Sequence, residues 1–255
     1  MGLLKFDTWL TVAICSVLVL LYVTTLIKVC IGSKYQFVIK LLVLLIFSNI
    51  GLAFDQFGDY KFELFRRNLT GNDPIFCISI IFISGLIYNV CFNVSHWIFA
   101  FEYYSIARFM PYVFKGQGLP ESNLKYDRRL NNTMFLLNIA LPLLNKIAAL
   151  KANLVEGNGH TVSLWLNIFN VVTMFFVLIL RLVIGSFLGY AIYSIWKQLK
   201  HSDDKSADVD IRILVLHASA FGLYMISILA NFIVLAYYYL NGEKNSKASI
   251  ISDIF

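Results

Sequence analysis

The sequence predicts an all-α, polytopic membrane protein, built as a bundle of transmembrane helices. Of its 255 residues, 59% are hydrophobic and 16% aromatic, whereas only 14% are charged. Soluble chains contain about 45–50% apolar and about 25% charged residues. The mean hydropathy of +0.72 is typical of a chain whose surface faces lipid as well as water. This composition is a poor fit to a disordered chain, a secreted disulfide-rich domain or a soluble enzyme.

Six apolar stretches provide the roughly 20 residues that a helix needs to cross a bilayer. Within a single transmembrane domain of residues 1–255, the predicted spans cover residues 8–27, 36–54, 74–104, 132–150, 161–196 and 213–240. The fourth is the weakest prediction because it contains several polar residues and a proline. The fifth is longer than a bilayer requires. We interpret it as one long helix, and the alternative splits it into two at Arg181. Residues 248–255 are either a tail or the start of a truncated seventh span.

Basic residues predict the orientation of the chain, since Lys and Arg favour cytoplasmic loops. They are more numerous in the loops after the first, third and fifth spans, which carry Lys28, Lys34, Lys40, Arg108, Lys115, Lys125, Arg128, Arg129, Lys197, Lys200, Lys205 and Arg212. The N-terminus is therefore expected outside. Asn68, in an Asn-Leu-Thr sequon, then falls outside as a candidate glycosylation site. The cytoplasmic basic loops are expected to contact anionic lipid.

The third span carries a polar face, because Asn89, Asn93 and His96 recur at helical spacing. One interpretation is hydrogen bonding between helices, with Asn49 of the second span as partner at a similar depth. The other is a polar cavity for a ligand, ion or proton. Both remain open from the sequence.

Three further ionisable residues lie within the predicted spans. Glu102 and Arg181 are both expected toward the cytoplasmic half, and we hypothesise that they form an ion pair. The alternative is that each reaches the cytoplasmic interface separately. His217, near the start of the sixth span, is interpreted as an interfacial histidine rather than a pH sensor. Gly185 and Gly189 form a Gly-x-x-x-Gly pattern that favours close helix packing.

The segment that follows the second span, residues 54–65, has its aromatic residues at helical spacing. It is interpreted either as an amphipathic helix lying along the outer leaflet or as an aromatic cap over the bundle. The sequence contains no metalloprotease, hydrolase or phosphate-loop motif. The four cysteines have no zinc-ligand spacing. No catalytic residue, metal, cofactor or nucleic-acid partner is therefore predicted.

The segment His-Trp-Ile-Phe-Ala-Phe-Glu-Tyr-Tyr-Ser-Ile-Ala-Arg-Phe-Met-Pro-Tyr, residues 96–112, resembles a recurrent segment of multipass membrane proteins of ciliates. The layout of an outer N-terminus, long third and fifth helices and basic cytoplasmic loops loosely resembles that of seven-helix receptors. Glu102 through Arg108 loosely resembles the acidic-Arg-Tyr end of the third receptor helix, but Glu102 and Arg108 are not adjacent, and the sixth span lacks the Cys-Trp-x-Pro motif of those receptors.

These features predict a receptor-like, non-enzymatic protein with an unknown ligand. The alternatives are a transporter or channel subunit and an accessory structural subunit that binds protein partners in the membrane. A plasma or internal membrane of the secretory route is the favoured location, with the mitochondrial inner membrane as the alternative.

Overall fold

The computed structural model describes residues 2–32, 36–66, 74–114, 120–157 and 164–200, together with ten single positions between 215 and 233. All described regular structure is helical. The five continuous helices are α1 (Gly2–Gly32), α2 (Gln36–Arg66), α3 (Pro74–Phe114), α4 (Glu121–Gly157) and α5 (Leu164–Lys200). Each contains a segment that is long and apolar enough to cross a membrane. The described part of the chain is thus an all-helical protein with five candidate spans.

Most of the predicted sixth span lies outside the described residues. The positions described between 215 and 233 are helical, and Ile228 among them is buried. The C-terminal residues on which a seventh span would depend are outside the description. Six spans with a seventh therefore stay a prediction.

Local sequence explains several helix ends. Pro74 opens α3, where a missing backbone N–H costs no helical hydrogen bond. The Pro120 carbonyl accepts from the Asn123 N–H at 3.0 Å at the start of α4, where Glu121 lies in the first turn. Lys197 and Lys200 lie in the last turn of α5, where cations oppose the negative end of the helix dipole.

Two helices bear on interpretations made from the sequence, one as a correction and one as a confirmation. The segment predicted as an interfacial helix or cap, residues 54–65, belongs to the continuous helix α2, so a separate interfacial helix is wrong. The fifth apolar run is one helix that continues through Arg181, which contradicts the split alternative.

The described residues group into two compact units. Unit 1 lies within Met1–Ser95 and Leu137–Val177, and unit 2 lies within His96–Leu136 and Leu178–Phe255. Both units contain parts of α3, α4 and α5. The prediction of a single transmembrane domain stays a prediction, and the units are described separately.

In unit 1, α2 buries one face along its length. This face consists of Ser48, Gly51, Asp55, Gly58 and Phe62, which alternate at three- and four-residue spacing. At one end Phe62 packs in a cluster with Cys77, Ile78 and Ile81 of α3, against which Leu150 of α4 also packs. The opposite side of α2 faces α1, whose own side chains are mostly exposed and apolar. Exposed apolar side chains are expected where a helix borders lipid.

The glycines of α2 let α3 approach it closely. A Cβ atom at Gly51 would lie 2.7 Å from the backbone nitrogen of Tyr88 and 2.8 Å from the Ser84 carbonyl. A Cβ at Gly58 would lie 2.8 Å from Cγ1 of Ile81. Small residues serve this purpose in membrane proteins, since lipid provides no hydrophobic force between helices and close van der Waals packing must replace it.

In unit 2, aromatic rings fill the interior. Trp97 of α3 is fully buried, and its indole N–H donates to Oδ1 of Asn131 in α4 at 2.9 Å. The ring of Phe187 in α5 meets Trp97 edge-on, with the centroids 5.6 Å apart, and also meets Tyr104 edge-on at 5.4 Å. Edge-to-face contacts of this kind add stabilisation beyond the buried area.

Candidate functional site

The polar residues predicted on α3 are buried or half-buried. The side-chain amide of Asn89 donates to the Gly85 carbonyl, one turn earlier, at 2.8 Å. Asn93 is fully buried, and both residues belong to unit 1. His96 is half-buried and belongs to unit 2. These positions place polar groups inside α-helical packing, and whether they form a cavity stays a prediction.

Asn49 does not join that face. Its side-chain amide donates to the Leu45 carbonyl of its own helix at 2.8 Å, and the residue lines the space between α1 and α2. The described residues include no hydrogen bond between Asn49 and α3, so the predicted partnership of Asn49 with the third span is wrong. The reason is the position of Asn49 around the axis of α2. Asn49 lies on the α1 side of α2, whereas its neighbour Ser48 lies on the buried face that packs on α3.

Glu102 and Arg181 both belong to unit 2 but do not pair. Glu102 is exposed and Arg181 half-buried, and no ion pair joins them in the described part of the chain. The alternative, in which each reaches the cytoplasmic interface separately, stays a prediction.

The remaining predicted positions are only partly described. His217 and Asn68 lie outside the described residues. Gly185 is buried and Gly189 half-buried on α5, so their role in helix packing stays a prediction.

An elongated groove between α1 and α2 is the first of two sites that the sequence does not indicate. Its volume is about 620 Å³. The lining is apolar apart from a few hydroxyl, thiol and amide groups and consists of Thr8, Trp9, Val12, Cys15, Ser16, Val19, Leu20, Asn49, Ile50, Ala53, Phe54, Phe57 and Tyr60. Trp9, Leu20 and Phe54 are exposed at its margin, so the groove is open along one side.

The second site is an ion pair between Asp55 of α2 and Lys146 of α4. Asp55 Oδ1 and Lys146 Nζ are 3.4 Å apart, and the two side chains are only 12% and 16% exposed. Gly85 of α3 lies directly against both charged groups. All three residues belong to unit 1. The sequence does not indicate this pair, because the second span is predicted to end at residue 54, which leaves Asp55 in the segment that follows rather than beside another span.

A chain of amide and hydroxyl groups continues between α4 and α5 in unit 1. The side-chain amide of Asn145 lies within hydrogen-bonding distance of Oδ1 of Asn170, at 3.3 Å, and of Oγ1 of Thr173, at 3.2 Å. The hydroxyl of Thr173 donates to the Asn170 carbonyl at 2.9 Å. Interhelical hydrogen bonds of this kind hold membrane helices together at about 0.6 kcal/mol each on average.

Unit 2 contains a different ion pair, between Arg108 of α3 and Asp127 of α4. The same Arg108 nitrogen donates to the Tyr104 hydroxyl at 3.0 Å, and the rings of Tyr104 and Tyr126 lie within cation–π distance of the guanidinium. Nearby, the side-chain amide of Gln198 in α5 donates to the Ala107 carbonyl at 3.0 Å. This cluster links α3, α4 and α5 through Arg108 and the carbonyl of its neighbour Ala107.

A further feature is how the side chains that could bind a metal are distributed in the part of the chain that is described. No three His, Cys, Asp or Glu side chains there are grouped so that they would hold an ion. Cys15 and Cys77 are buried free thiols, Cys91 is half-buried and Cys30 is exposed.

Five long apolar helices, polar groups buried between them and an apolar groove on the outside define a multi-spanning helical membrane protein. Neither a protein-family model, nor a curated protein, nor a solved structure matches the chain. Its function must therefore be argued from its own residues.

Proposed function

We propose that this chain is a receptor-like, non-enzymatic membrane protein that binds a lipid-like ligand in the groove between α1 and α2. The groove itself carries the proposal. Its volume of about 620 Å³ falls in the range of about 300–1,000 Å³ that is typical of small-molecule sites, which are mostly apolar with a few placed polar groups.

The chemistry of the lining supports a long-chain or sterol-like ligand. Most of the wall is hydrocarbon, which binds an apolar body, while the Asn49 amide and the Tyr60 hydroxyl offer polar contacts to a single headgroup. The open side of the groove is bordered by Trp9 and Phe54, which are exposed apolar residues inside candidate spans. A ligand would therefore enter sideways from the bilayer rather than from water.

The orientation inferred from basic residues supports entry from the outer leaflet. With the N-terminus outside, the beginning of α1 and the end of α2 both lie near the outer surface, and these are the ends that line the groove. Exposed cations in or beside the loops that the charge rule assigns to the cytoplasm support the proposed contact with anionic cytoplasmic lipid. They include Arg128 and Arg129 in the first turns of α4 and Lys200 at the end of α5.

The test is photolabelling of the purified chain, in lipid nanodiscs, with a diazirine-bearing fatty acid and a diazirine-bearing sterol. Mass spectrometry of peptides is expected to find adducts concentrated on residues 8–20 and 49–60. Ala53→Trp fills the groove and should lower this labelling by about tenfold, which corresponds to about 1.4 kcal/mol of binding free energy.

Ala140→Trp is the matched control, because Ala140 is an exposed alanine of α4 in the same unit that does not line the groove. It should leave the labelling unchanged. Labelling spread evenly over all lipid-facing helices, or equally reduced by both substitutions, would mean that the groove holds only ordinary bilayer lipid. The proposal would then be abandoned. The transporter or channel subunit and the accessory subunit stay predictions from the sequence.

A further inference from the structure

The ion pair of unit 1 has fewer partners than a buried ion pair needs. In the described part of the chain, Asp55 and Lys146 have no hydrogen bond or ion pair other than the one between them. A lysine ammonium has three donors, and a carboxylate has about four acceptor positions. Because taking two charges out of water is costly, such a pair is stable only when further hydrogen bonds satisfy both groups. One contact leaves most of this capacity unused.

The contact is also long. The two atoms are 3.4 Å apart, whereas charge-assisted hydrogen bonds between nitrogen and oxygen are usually about 2.7–2.9 Å. The ammonium is therefore held near the carboxylate rather than locked onto it. A resident cation held in this way is one that another cation can replace.

Gly85 provides the space in which the ammonium lies. A Cβ atom built on Gly85 would overlap the Lys146 ammonium and Oδ1 of Asp55. Because Gly85 has no side chain, the backbone of α3 leaves room beside the carboxylate, and the ammonium occupies it. Any other residue at position 85 would close it.

Lys146 also lies close enough to a membrane interface for its ammonium to reach it. Five residues, or about 8 Å of helix, separate it from Lys151, where the candidate span of α4 ends. Asp55 is seven residues, or about 10 Å, from the end of the α2 span at Phe62. A lysine so close to an interface can extend its flexible stem and place the ammonium in the headgroup region.

We propose that Asp55 is a binding site for a small monovalent cation, which enters the space beside Gly85 in exchange for the Lys146 ammonium. The charge of the ligand follows from the charge of the site. Asp55 supplies one negative charge, which Lys146 balances when the site is closed. A neutral ligand that displaced Lys146 would leave a bare carboxylate, and a divalent ion would leave an excess positive charge, both costly at low dielectric. The site is separate from the groove, because Asp55 lies on the α3-facing side of α2.

The exchange can be followed at Lys146 itself. The wild-type chain in nanodiscs is treated briefly with a water-soluble amine-acylating reagent, in NaCl or in N-methyl-D-glucamine chloride of the same ionic strength. Acylation of each lysine is then measured by peptide mass spectrometry. Sodium should raise the rate at Lys146 by about threefold or more, because it shifts the population toward the extended lysine. Lys151, which is exposed on the same helix, is the internal reference and should react equally in both salts.

Asp55→Asn removes the charge that holds Lys146, so Lys146 should react quickly in both salts. Equal Lys146-to-Lys151 ratios in the two salts would overturn the proposal for the wild type. Continued protection of Lys146 in Asp55→Asn would also overturn it, because the carboxylate would then not be what retains the lysine. The two wild-type measurements decide the question even if the variant does not fold.

Discussion

Units 1 and 2 each place an ion pair between helices, but they surround its cation differently. In unit 2 a single nitrogen of Arg108 meets both Asp127 and the Tyr104 hydroxyl, and two rings flank the guanidinium. In unit 1, among the described residues, Lys146 has one long contact, lies against a glycine and has no aromatic partner. A cation with many partners is fixed in place, whereas a cation with one partner can be exchanged. The first arrangement is suited to structure, and the second to binding.

The surrounding packing differs in the same sense. Unit 2 fills its interior with the rings of Trp97, Tyr104 and Phe187. Unit 1 brings α2 and α3 together through Gly51 and Gly58, whose absent side chains permit backbone contact. Truncating a large buried ring costs stability because it leaves a cavity, and adding a side chain at a close-packed glycine costs stability because it creates a clash. Opposite substitutions should therefore damage the two units.

The largest effect is expected at Trp97. Trp97→Ala deletes a side chain with 0% exposure and should lower the free energy of unfolding by about 3–5 kcal/mol. Part of the loss comes from the Asn131 oxygen, which loses its donor. Denaturant titration in detergent, followed by tryptophan-independent circular dichroism, measures it. Trp165→Ala is the control, because Trp165 is 79% exposed and its loss should change stability by about 0.5 kcal/mol or less. Equal losses at both positions would contradict the aromatic interior of unit 2.

The second effect is expected at Gly51, where addition rather than deletion is harmful. Gly51→Ala places a methyl group 2.7 Å from the Tyr88 nitrogen, so α2 and α3 must separate, at a cost of about 1–3 kcal/mol. Gly222→Ala is the matched control, because in the described part of the chain no atom beyond its own helical backbone and chain neighbours lies within 4 Å of a Cβ built there. Alanine is the better helix former by about 1 kcal/mol, so Gly222→Ala should be neutral or stabilising. Thermal unfolding of the two variants side by side gives the comparison, and a stable Gly51→Ala would show that the close approach is not needed.

The sequence predicts the helices of both units because long apolar runs are a local property. The cores of α1, α2, α3 and α5 are apolar over the length of a bilayer, and the structure has helices there. The sequence places the end of α2 too early because residues 55–63 contain three acidic residues. Inside the helix these charges fall on particular faces, and Asp55 has Lys146 as its partner. A hydropathy argument cannot show this, because it does not consider pairing between distant residues.

The groove between α1 and α2 and the Asp55–Lys146 pair are less predictable than the helices for the same physical reason. The Gly-x-x-x-Gly pattern predicts close helix packing at Gly185 and Gly189. In the described structure, α2 and α3 approach each other closely at Gly51 and Gly58, seven residues apart, with Gly85 on the facing helix. Which glycine faces which helix depends on rotation about the helix axes, and one sequence does not specify it. Likewise, one interpretation of the sequence makes Asn49 a partner of α3, whereas in the structure Asn49 lies toward α1. Polar residues at equal depth need not face each other.

The smallest effect is expected from removing the hydrogen bond that Arg108, the cation of the ion pair in unit 2, donates to the Tyr104 hydroxyl. Tyr104→Phe keeps the ring beside Arg108 but removes the hydroxyl that accepts from its guanidinium at 3.0 Å. The expected loss is about 1–2 kcal/mol of unfolding free energy, since the lost acceptor served a charged donor. Tyr126→Phe is the control, because Tyr126 meets Arg108 through its ring and is itself exposed, so the ring contact survives. Its expected change is about 0.5 kcal/mol or less. If Tyr104→Phe proved as harmless as Tyr126→Phe, Arg108 would be held by Asp127 and the rings alone. The cations of the two units would then differ in their aromatic neighbours rather than in their hydrogen bonds.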